Sequence, residues 1–347
     1  MADLAKRTMD QQRQLWLEIA QCALNRWDIV PRKTRWLGRG SNVVFRVTAA
    51  QADYALRLHP PGSTDAARLR AELEWLTSIR RETHLLAPHP VLARVDGREQ
   101  QYLALHHDLL PPPSTVYAVL FDYIGGESKP ASELSADDVY RIGVLLGALH
   151  SEAQFKAAGD FEGRLLDWAG LFGEDSPYAS PSAGASLRAE QGRILDQAAQ
   201  QLRAQMSTLA SKSGAMGLIH ADLLAKNILF RAESIAALDF EYCGWGFYLY
   251  DLAPLLWQLK GERAADYLML EDVMWRGYTS VRRMDEGDRA LLETFIAARQ
   301  IASIRWLLRN LVNPMVSAVA PALIAERCVE LEVFLETGTL RRASPTL

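Results

Sequence analysis

The sequence predicts an α+β chain of two lobes, a small antiparallel-sheet lobe followed by a large helical one. Three observations predict it. Before residue 124, short apolar-alternating runs separated by turn residues enclose a single helical segment. At Ile124-Gly125-Gly126-Glu127 the composition shifts. Beyond that point apolar residues recur almost everywhere at helical spacing. With 347 residues, 49% of them hydrophobic and 23% charged, the chain is long enough for two lobes sharing a cleft. The boundary falls at 124/125, giving lobes 1–124 and 125–347.

The elements follow in order. Residues 10–27 read as an amphipathic helix, with Leu15, Trp16, Ile19, Ala20, Ala23, Leu24 and Trp27 on one face. Strands are expected at Arg35–Leu37, Asn42–Val47 and Tyr54–His59, with turns at Gly38-Arg39-Gly40-Ser41 and Ala50–Asp53. A helix should run over Asp65–Arg81, stopped by Pro88 and Pro90. Strands at Gln101–His107 and Thr115–Tyr123 flank the turn-rich Leu110-Pro-Pro-Pro-Ser114. In the second lobe, helices are expected over 136–150, 186–209, 251–260, 264–278, 289–310 and 316–335. Its only strand signals are Ile228–Phe230 and Ile235–Leu238, and the tail from Thr337 reads as polar and loose. No internal repeat is visible.

A net charge of −4 and a pI near 6.0 give no support for nucleic-acid or acidic-membrane partners. The segment MADLAKRTMDQQRQLW has no apolar core of signal-peptide length, and no window matches a spanning helix. Cys22, Cys243 and Cys328 are odd in number, far apart and unpatterned, against a disulfide framework or zinc site. Together these point to a cytoplasmic protein. They leave its oligomeric state open.

The chemistry concentrates in GLIHADLLAKNILF and the following IAALDFEYCGWG. His220, Asp222, Asn227 and Asp239 supply two carboxylates and an amide oxygen beside apolar strand-like runs. Phosphoryl transfer needs such a set. One carboxylate orients a hydroxyl nucleophile, while a second carboxylate and an amide oxygen suit magnesium, which prefers oxygen ligands and keeps much of its water. Taken singly, each of these residues is also a natural turn or capping residue.

The pattern H-x-D-x-x-x-x-N, with D-F-E beginning twelve residues after Asn227, resembles the catalytic and metal-binding loops of protein kinases. Its closest match is the aminoglycoside phosphotransferase-like branch of that fold, which includes choline kinases, type II homoserine kinases and bacterial stress kinases. The resemblance implies a protein-kinase-like fold and ATP- and Mg2+-dependent phosphorylation of a small-molecule hydroxyl, with GTP open as an alternative donor. It makes the first lobe nucleotide-binding and the second catalytic and acceptor-binding. It assigns Asp222 to catalysis and Asn227 and Asp239 to the metal. His220 becomes a brace of the loop. Asp251 caps its own helix and also holds loop amides. Lys226 departs from the family pattern, with reach to the terminal phosphate or to solvent alone. Leu224 departs too, standing where the family usually has a His or another polar residue. Glu241 is a second metal ligand, an acceptor contact or an exposed loop residue.

In the first lobe, Gly38, Gly40, Ser41 and Asn42 resemble the nucleotide-covering turn, although any tight hairpin uses glycine. Arg57 stands where kinases place a lysine for the α/β-phosphates. Its natural partner is Glu72, with Glu74 the runner-up. An Arg57→Ala variant is expected to weaken nucleotide binding with the melting temperature nearly intact. Phe121 and Tyr123, in Phe121-Asp122-Tyr123-Ile124, fall at the expected hinge, where main chain meets the base.

The acceptor stays open. Acidic Glu162, Asp167, Glu174, Asp175, Glu271 and Asp272 would suit an aminoglycoside, an aromatic cage would suit choline, and Arg299 or Arg305 would suit a carboxylate. Trp168, Trp245, Trp257, Trp275 and Trp306 read more naturally as core. The Arg341–Ser344 segment resembles a kinase target site or is plain solvated tail. Two alternatives stand beside the small-molecule kinase: a protein Ser/Thr kinase and a nucleotide-binding scaffold without turnover. Asp251 follows Asp239 by only twelve positions, too few for a peptide-docking activation segment.

Overall fold

Alternating apolar residues in the first part of the chain build an antiparallel sheet. The computed structural model describes residues 8–107, 110, 114–152, 161–173, 176, 187–232, 234–311, 313–343 and 346. Glu174, Asp175, Ser344, Ser186 and Pro111 to Pro113, all named above, lie outside them. The chain divides into two compact units, Met1–Gly125 and Gly126–Leu347.

In the first unit, β1 (Lys33–Arg39), β2 (Val43–Thr48), β3 (Asp53–His59), β6 (Leu103–Leu105) and β7 (Val116–Asp122) pair in the order β1-β2-β3-β7-β6. Neighbouring strands are antiparallel throughout. Successive side chains of a strand point to opposite faces, so Leu56 and Leu58 of β3 share one face and Arg57 takes the other. The first face, with Val43, Phe45 and Val47 of β2, is covered by α1 (Met9–Leu24) through Trp16, Ile19, Ala20 and Ala23. Thr8 caps α1 in a reciprocal capping box with Gln11. Helix α2 (Ala66–Glu82) is capped by Asp65 and buries Leu69, Leu73, Trp75, Leu76 and Ile79. Its end at Thr83 lies well before Pro88.

A small hairpin, β4 (Ala93–Val95) with β5 (Arg98–Gln100), lies outside the expected elements. Its turn residues Asp96 and Gly97 both have positive φ, 52° and 76°, the geometry of a type I′ turn that Asp-Gly favours.

The second unit is helical, as expected, but holds more strand than its two obvious arms. β10 (Ile228–Phe230) and β11 (Ile235–Ala237) form the expected hairpin. In addition, β8 (Arg164–Leu166), β12 (Gly244–Phe247) and β9 (Met216–Ile219) form a three-stranded sheet in that order. α3 (Ala136–Glu152) packs on α7 (Tyr267–Thr279). A Cβ on Gly143 would stand 2.3 Å from the Met274 carbonyl oxygen, and one on Gly277 would stand 2.2 Å from that of Tyr140. Only glycine permits this backbone contact. The short α4 (Trp168–Phe172) is capped by Asp167. α6 (Tyr248–Glu262) packs on α9 (Leu292–Arg309), which follows the single turn α8 (Glu286–Arg289). α9 in turn meets α5 (Ala189–Ala210) and α10 (Pro314–Thr337).

Two expectations are corrected. Asp251 is not an N-cap: β12 runs directly into α6, which starts at Tyr248, so Asp251 lies inside the first turn and Phe247 occupies the cap. The tail is not loose up to Ala343. Leu340 is fully buried, its amide donates to Glu293 Oε2, and Arg342 Nη1 donates to the Trp257 carbonyl at 2.5 Å.

Among the described residues no helix is long and apolar enough to cross a membrane.

Candidate active site

In the second unit the candidate loop leaves β9 at Ile219, and its backbone is held from below by α6. Asp251 Oδ2 accepts from the His220 amide at 2.8 Å and Oδ1 from the Ala221 amide at 2.6 Å. His150, at the end of α3, places Nε2 2.9 Å from Asp251 Oδ2 and Nδ1 2.8 Å from the Tyr278 hydroxyl. Burial pushes the Asp251 carboxyl up, but the His150 contact, the nearby histidines and the loop amides outweigh it, and the group sits below its ordinary range. Burial also lowers His150 and raises the Tyr278 phenol. The set is therefore a carboxylate receiving an Nε2–H, and an Nδ1 receiving the phenol proton. Two turns further along α6, Gln258 Oε1 accepts from the Ala225 amide at 2.7 Å.

This bracing fixes an unfavourable backbone. Ala221 has φ of +66°, and Asp239, at the other side of the site, +64°. Non-glycine residues in that region cost on the order of 1 kcal/mol each and persist only where the surroundings determine them. His220 ties the two sides together. The Leu238 carbonyl can only accept, so His220 Nε2 carries the proton that meets it at 2.8 Å, and Nδ1 receives the Asp222 amide at 3.3 Å.

Asn227 and Asp239 are neighbours through the β10–β11 hairpin. Ile228 pairs with Ala237, and the Leu238 amide donates to the Asn227 carbonyl at 2.8 Å. The Asn227 side-chain amide donates to the Asp222 carbonyl at 2.9 Å. A carbonyl only accepts, so Nδ2 faces Asp222 and Oδ1 turns away. Asn227 is buried and Asp239 half-buried. A hard divalent cation suits this donor set of one carboxylate and one amide oxygen. No cluster of three or more His, Cys, Asp or Glu side chains able to hold a metal occurs among the described residues.

Asp222 itself carries an ion pair. Arg299 Nη2 of α9 lies 2.6 Å from Asp222 Oδ1, with 9% and 14% of the two side chains exposed. Burial raises the Asp222 carboxyl above its ordinary value; Arg299 and then Lys226 oppose the rise, and Asp239 adds to it. Lys226 is exposed. Glu241 is buried, and its carbonyl accepts from Arg164 Nη1 at 3.0 Å.

Of the acids that suggested an aminoglycoside pocket, Asp167 caps α4, and Glu271 and Asp272 pair with Arg289 at 3.4 and 3.2 Å. Trp257 and Trp275 are core, and Trp168 donates to the Ala199 carbonyl at 2.8 Å.

In the first unit, Arg57 Nη2 lies 2.8 Å from both carboxylate oxygens of Glu72, and the guanidinium stands 5.0 Å from the centre of the Phe121 ring. Both members of the pair are buried, while Glu74 is exposed. Gly38, expected in the turn, lies inside β1 and pairs with Val44 of β2; the β1–β2 turn itself holds Gly40 and Ser41, followed by buried Asn42. A Cβ on either glycine would meet nothing within 4 Å, so the packing of the protein does not require glycine there. The Tyr123 amide donates to the Asp53 carbonyl at 3.1 Å and is committed to the sheet.

Sequence reasoning missed the Arg299–Asp222 pair, His150 and Gln258. Each comes from a helix far away in sequence, and only the fold brings them together.

The family model described as the phosphotransferase enzyme family matches residues 34–309. Among solved structures, the chain is similar to a microcompartment-associated aminopropanol kinase, with 25% identity and a TM-score of 0.79 over 94% of this chain and 99% of that one. It is similar in fold to the amicoumacin kinase hAmiN in complex with AMP-PNP, Ca2+ and Ami, with 18% identity, a TM-score of 0.73 and 92% and 93% coverage. A choline/ethanolamine kinase family protein from Mesorhizobium loti aligns with 20% identity, a TM-score of 0.57 and 88% coverage of both chains. No curated protein sequence matches the chain.

Proposed function

The chain belongs to the phosphotransferase enzyme family, and from that premise we propose that it transfers the terminal phosphoryl group of a nucleoside triphosphate to a hydroxyl of a small molecule. ATP is the proposed donor, with GTP the alternative, and Mg2+ the proposed metal. The observation that carries the reading is the braced loop, where Asp222, the Asn227 amide oxygen and Asp239 are brought together by Asp251, His220 and the β10–β11 hairpin. The AMP-PNP and Ca2+ bound to the amicoumacin kinase support a nucleotide and a divalent cation. The similarity to an aminopropanol kinase and to a choline/ethanolamine kinase family protein supports a small hydroxylated acceptor.

In this reading Asp222 accepts a hydrogen bond from the acceptor hydroxyl and aims it at phosphorus. Asn227 and Asp239 hold the cation, which when bound neutralises charge on the phosphates. Arg57, fixed by Glu72, holds phosphate oxygens, and the Gly38–Asn42 turn covers them. Phe121 and Tyr123 flank the base. Lys226, exposed beside Asp222, reaches the phosphate. Glu241 remains a second metal ligand or acceptor contact. Residues 240–247, after Asp239, form a short turn and β12, with no peptide-docking segment among the described residues. This favours a small acceptor over a protein one.

The experiment is ATP and GTP titration by calorimetry with and without Mg2+, joined to a nucleotide-consumption screen over hydroxylated metabolites and antibiotics. Asp239→Ala should lose the metal-dependent part of nucleotide affinity. Asp222→Asn should keep that affinity within a few fold and lose on the order of 10²–10⁴ in rate. Wild-type turnover by Asp222→Asn would sink the mechanism, and absence of any nucleotide consumption by the wild type would favour the scaffold.

A further inference from the structure

Helix α6 braces the candidate loop from two places, and a proline stands between them. Asp251, in the first turn, holds the His220 and Ala221 amides, and Gln258, two turns later, holds the Ala225 amide. Pro254 has no N–H to donate to the Tyr250 carbonyl, so the hydrogen-bond ladder of the helix is interrupted between the two braces. The half of α6 beyond Pro254 therefore takes less of its alignment from the first half. It has to be held from outside.

The outside ties converge on Trp257, next to Gln258 in the chain. Trp257 Nε1 donates to Gln300 Oε1 of α9 at 2.6 Å. An indole nitrogen only donates and the Arg327 carbonyl only accepts, so the Gln300 amide has one orientation. Its Nε2 lies 3.2 Å from that carbonyl and 2.5 Å from Glu330 Oε2 of α10. Gln300 is in turn the chain neighbour of Arg299, which meets Asp222 Oδ1 at 2.6 Å. One contact between α6 and α9 thus adjoins both Gln258 and Arg299, two of the side chains that hold the loop.

Residues 340–343 close over this contact. The Leu340 amide donates to Glu293 Oε2 at 2.9 Å, and Glu293 Oε1 receives Lys260 of α6 at 2.5 Å. The Ala343 amide donates to Glu330 Oε1 at 2.7 Å. Between these two anchors, the fully buried side chain of Arg342 sets its guanidinium 3.7 Å from the centre of the Trp257 ring. Its Nη1 donates to the Trp257 carbonyl at 2.5 Å. A planar cation on the indole and a hydrogen bond to the main chain of the same residue fix ring and backbone together.

We propose that Arg342 is a positioning residue for the candidate loop: by fixing Trp257 it sets the half of α6 beyond Pro254, and through Trp257 and Gln300 it places Gln258 on the Ala225 amide and Arg299 on Asp222. For its kinetic consequence the proposal rests on the phosphotransfer reading of Asp222. The Arg299–Asp222 pair stays intact in this arrangement. Held at Oδ1, the carboxylate presents Oδ2 to an incoming hydroxyl. A shift of α9 or of the second half of α6 misaims that oxygen without touching the residues proposed to hold nucleotide.

The test uses the full chain and reads two quantities. The first is site-resolved hydrogen exchange. In Arg342→Met the Ala225 amide should exchange on the order of tenfold faster, while the His220 and Ala221 amides, held by Asp251 ahead of Pro254, keep their wild-type protection. The second is hydrolysis of Mg2+-ATP with water as the acceptor. Its kcat should fall on the order of tenfold, with the KM for ATP unchanged. Arg342→Lys, which keeps the charge but has no planar group to lay on the indole, should recover part of both. On an Arg299→Met background, adding Arg342→Met should cost less kcat than it does alone, because part of its effect passes through Arg299. Wild-type exchange at Ala225 overturns the proposal. So does faster exchange at His220, Ala221 and Ala225 alike, in step with a lower melting temperature, which is the mark of a role in stability alone. Fully additive kinetic losses overturn the route through Arg299. Should Arg342→Met not fold, Arg342→Lys carries the same exchange comparison. A wild type that hydrolyses no ATP and phosphorylates no acceptor fails the phosphotransfer reading instead, and exchange at Ala225 still decides whether Arg342 positions the loop.

Discussion

The two units hold their candidate charges in opposite ways. In the first, Arg57 and Glu72 sit on a strand and a helix, so regular backbone carries each of them to the pair. In the second, Asp222, Asn227 and Asp239 sit on irregular backbone, with left-handed residues at 221 and 239. Their placement is delegated to Asp251, His150 and Gln258, buried residues of helices that supply no proposed ligand. A regular element positions a side chain through its own hydrogen-bond ladder. A loop has no such ladder and must borrow acceptors and donors from a rigid neighbour.

The largest expected effect comes from removing the borrowed acceptor. Asp251→Ala takes away the partner of two amides and of His150. Breaking a buried charged network by losing one member costs about 3–5 kcal/mol, a fall in melting temperature on the order of 10 °C for a unit of this size. Metal-dependent nucleotide affinity should fall with it. A variant that melts and binds like the wild type would show that the loop holds itself.

A smaller loss is expected in the first unit. Arg57→Ala leaves Glu72 buried without its guanidinium, so the melting temperature should drop by several degrees, in contrast to what exposure of Arg57 on a surface strand would give. The comparison is sharpened by the double variant Arg57→Met with Glu72→Leu. Replacing a buried pair by apolar residues of similar volume is often neutral. The double variant should recover the melting temperature and not the nucleotide affinity. Nothing equivalent should rescue Asp251→Ala, because backbone amides cannot be mutated away.

How much of this was legible in the sequence differs between the same two regions. The sheet of the first unit was readable because burial alternates strictly along β2, and because β3 and β7 are apolar-rich runs bounded by turn residues. The β4–β5 hairpin was passed over despite its Asp96-Gly97 turn, because its strands are three residues long and mostly exposed, with little apolar pattern. In the second unit, β8, β9 and β12 are three or four residues long, and β9 and β12 carry glycine, so neither period nor propensity marks them. Asp222, Asn227 and Asp239 announced themselves by spacing. Arg299 carried no local signal, because its partner is 77 residues away in the chain. The start of α6 was misplaced because strand β12 passes into it without a polar capping residue, Phe247 standing at the cap.

The smallest expected effect is a pH dependence that arises in the first unit. His59, at the end of β3, is fully buried, and burial together with the charge of Arg57 holds its pKa well below the ordinary 6.5. The unfolded chain therefore binds a proton that the folded chain refuses. This stability is complete above pH 6.5 and is lost as the pH falls from there towards the folded-state pKa. Chemical denaturation between pH 7 and 5 should reveal the slope, and His59→Phe should reduce it, leaving the share of buried His150 in the second unit. An unchanged slope in that variant would place the acid sensitivity elsewhere.

The glycines between α3 and α7 set the mutational tolerance of the gene. Every single-base change of a glycine codon that alters the residue adds a Cβ. At Gly143 and Gly277 that carbon would land 2.3 and 2.2 Å from a carbonyl oxygen of the opposing helix. No missense allele at these two codons is mild in the steric sense, although both lie away from the proposed chemistry. α3 also carries His150 in its last turn, so the loss would not stay local. Alleles here should behave as temperature-sensitive nulls of the candidate loop.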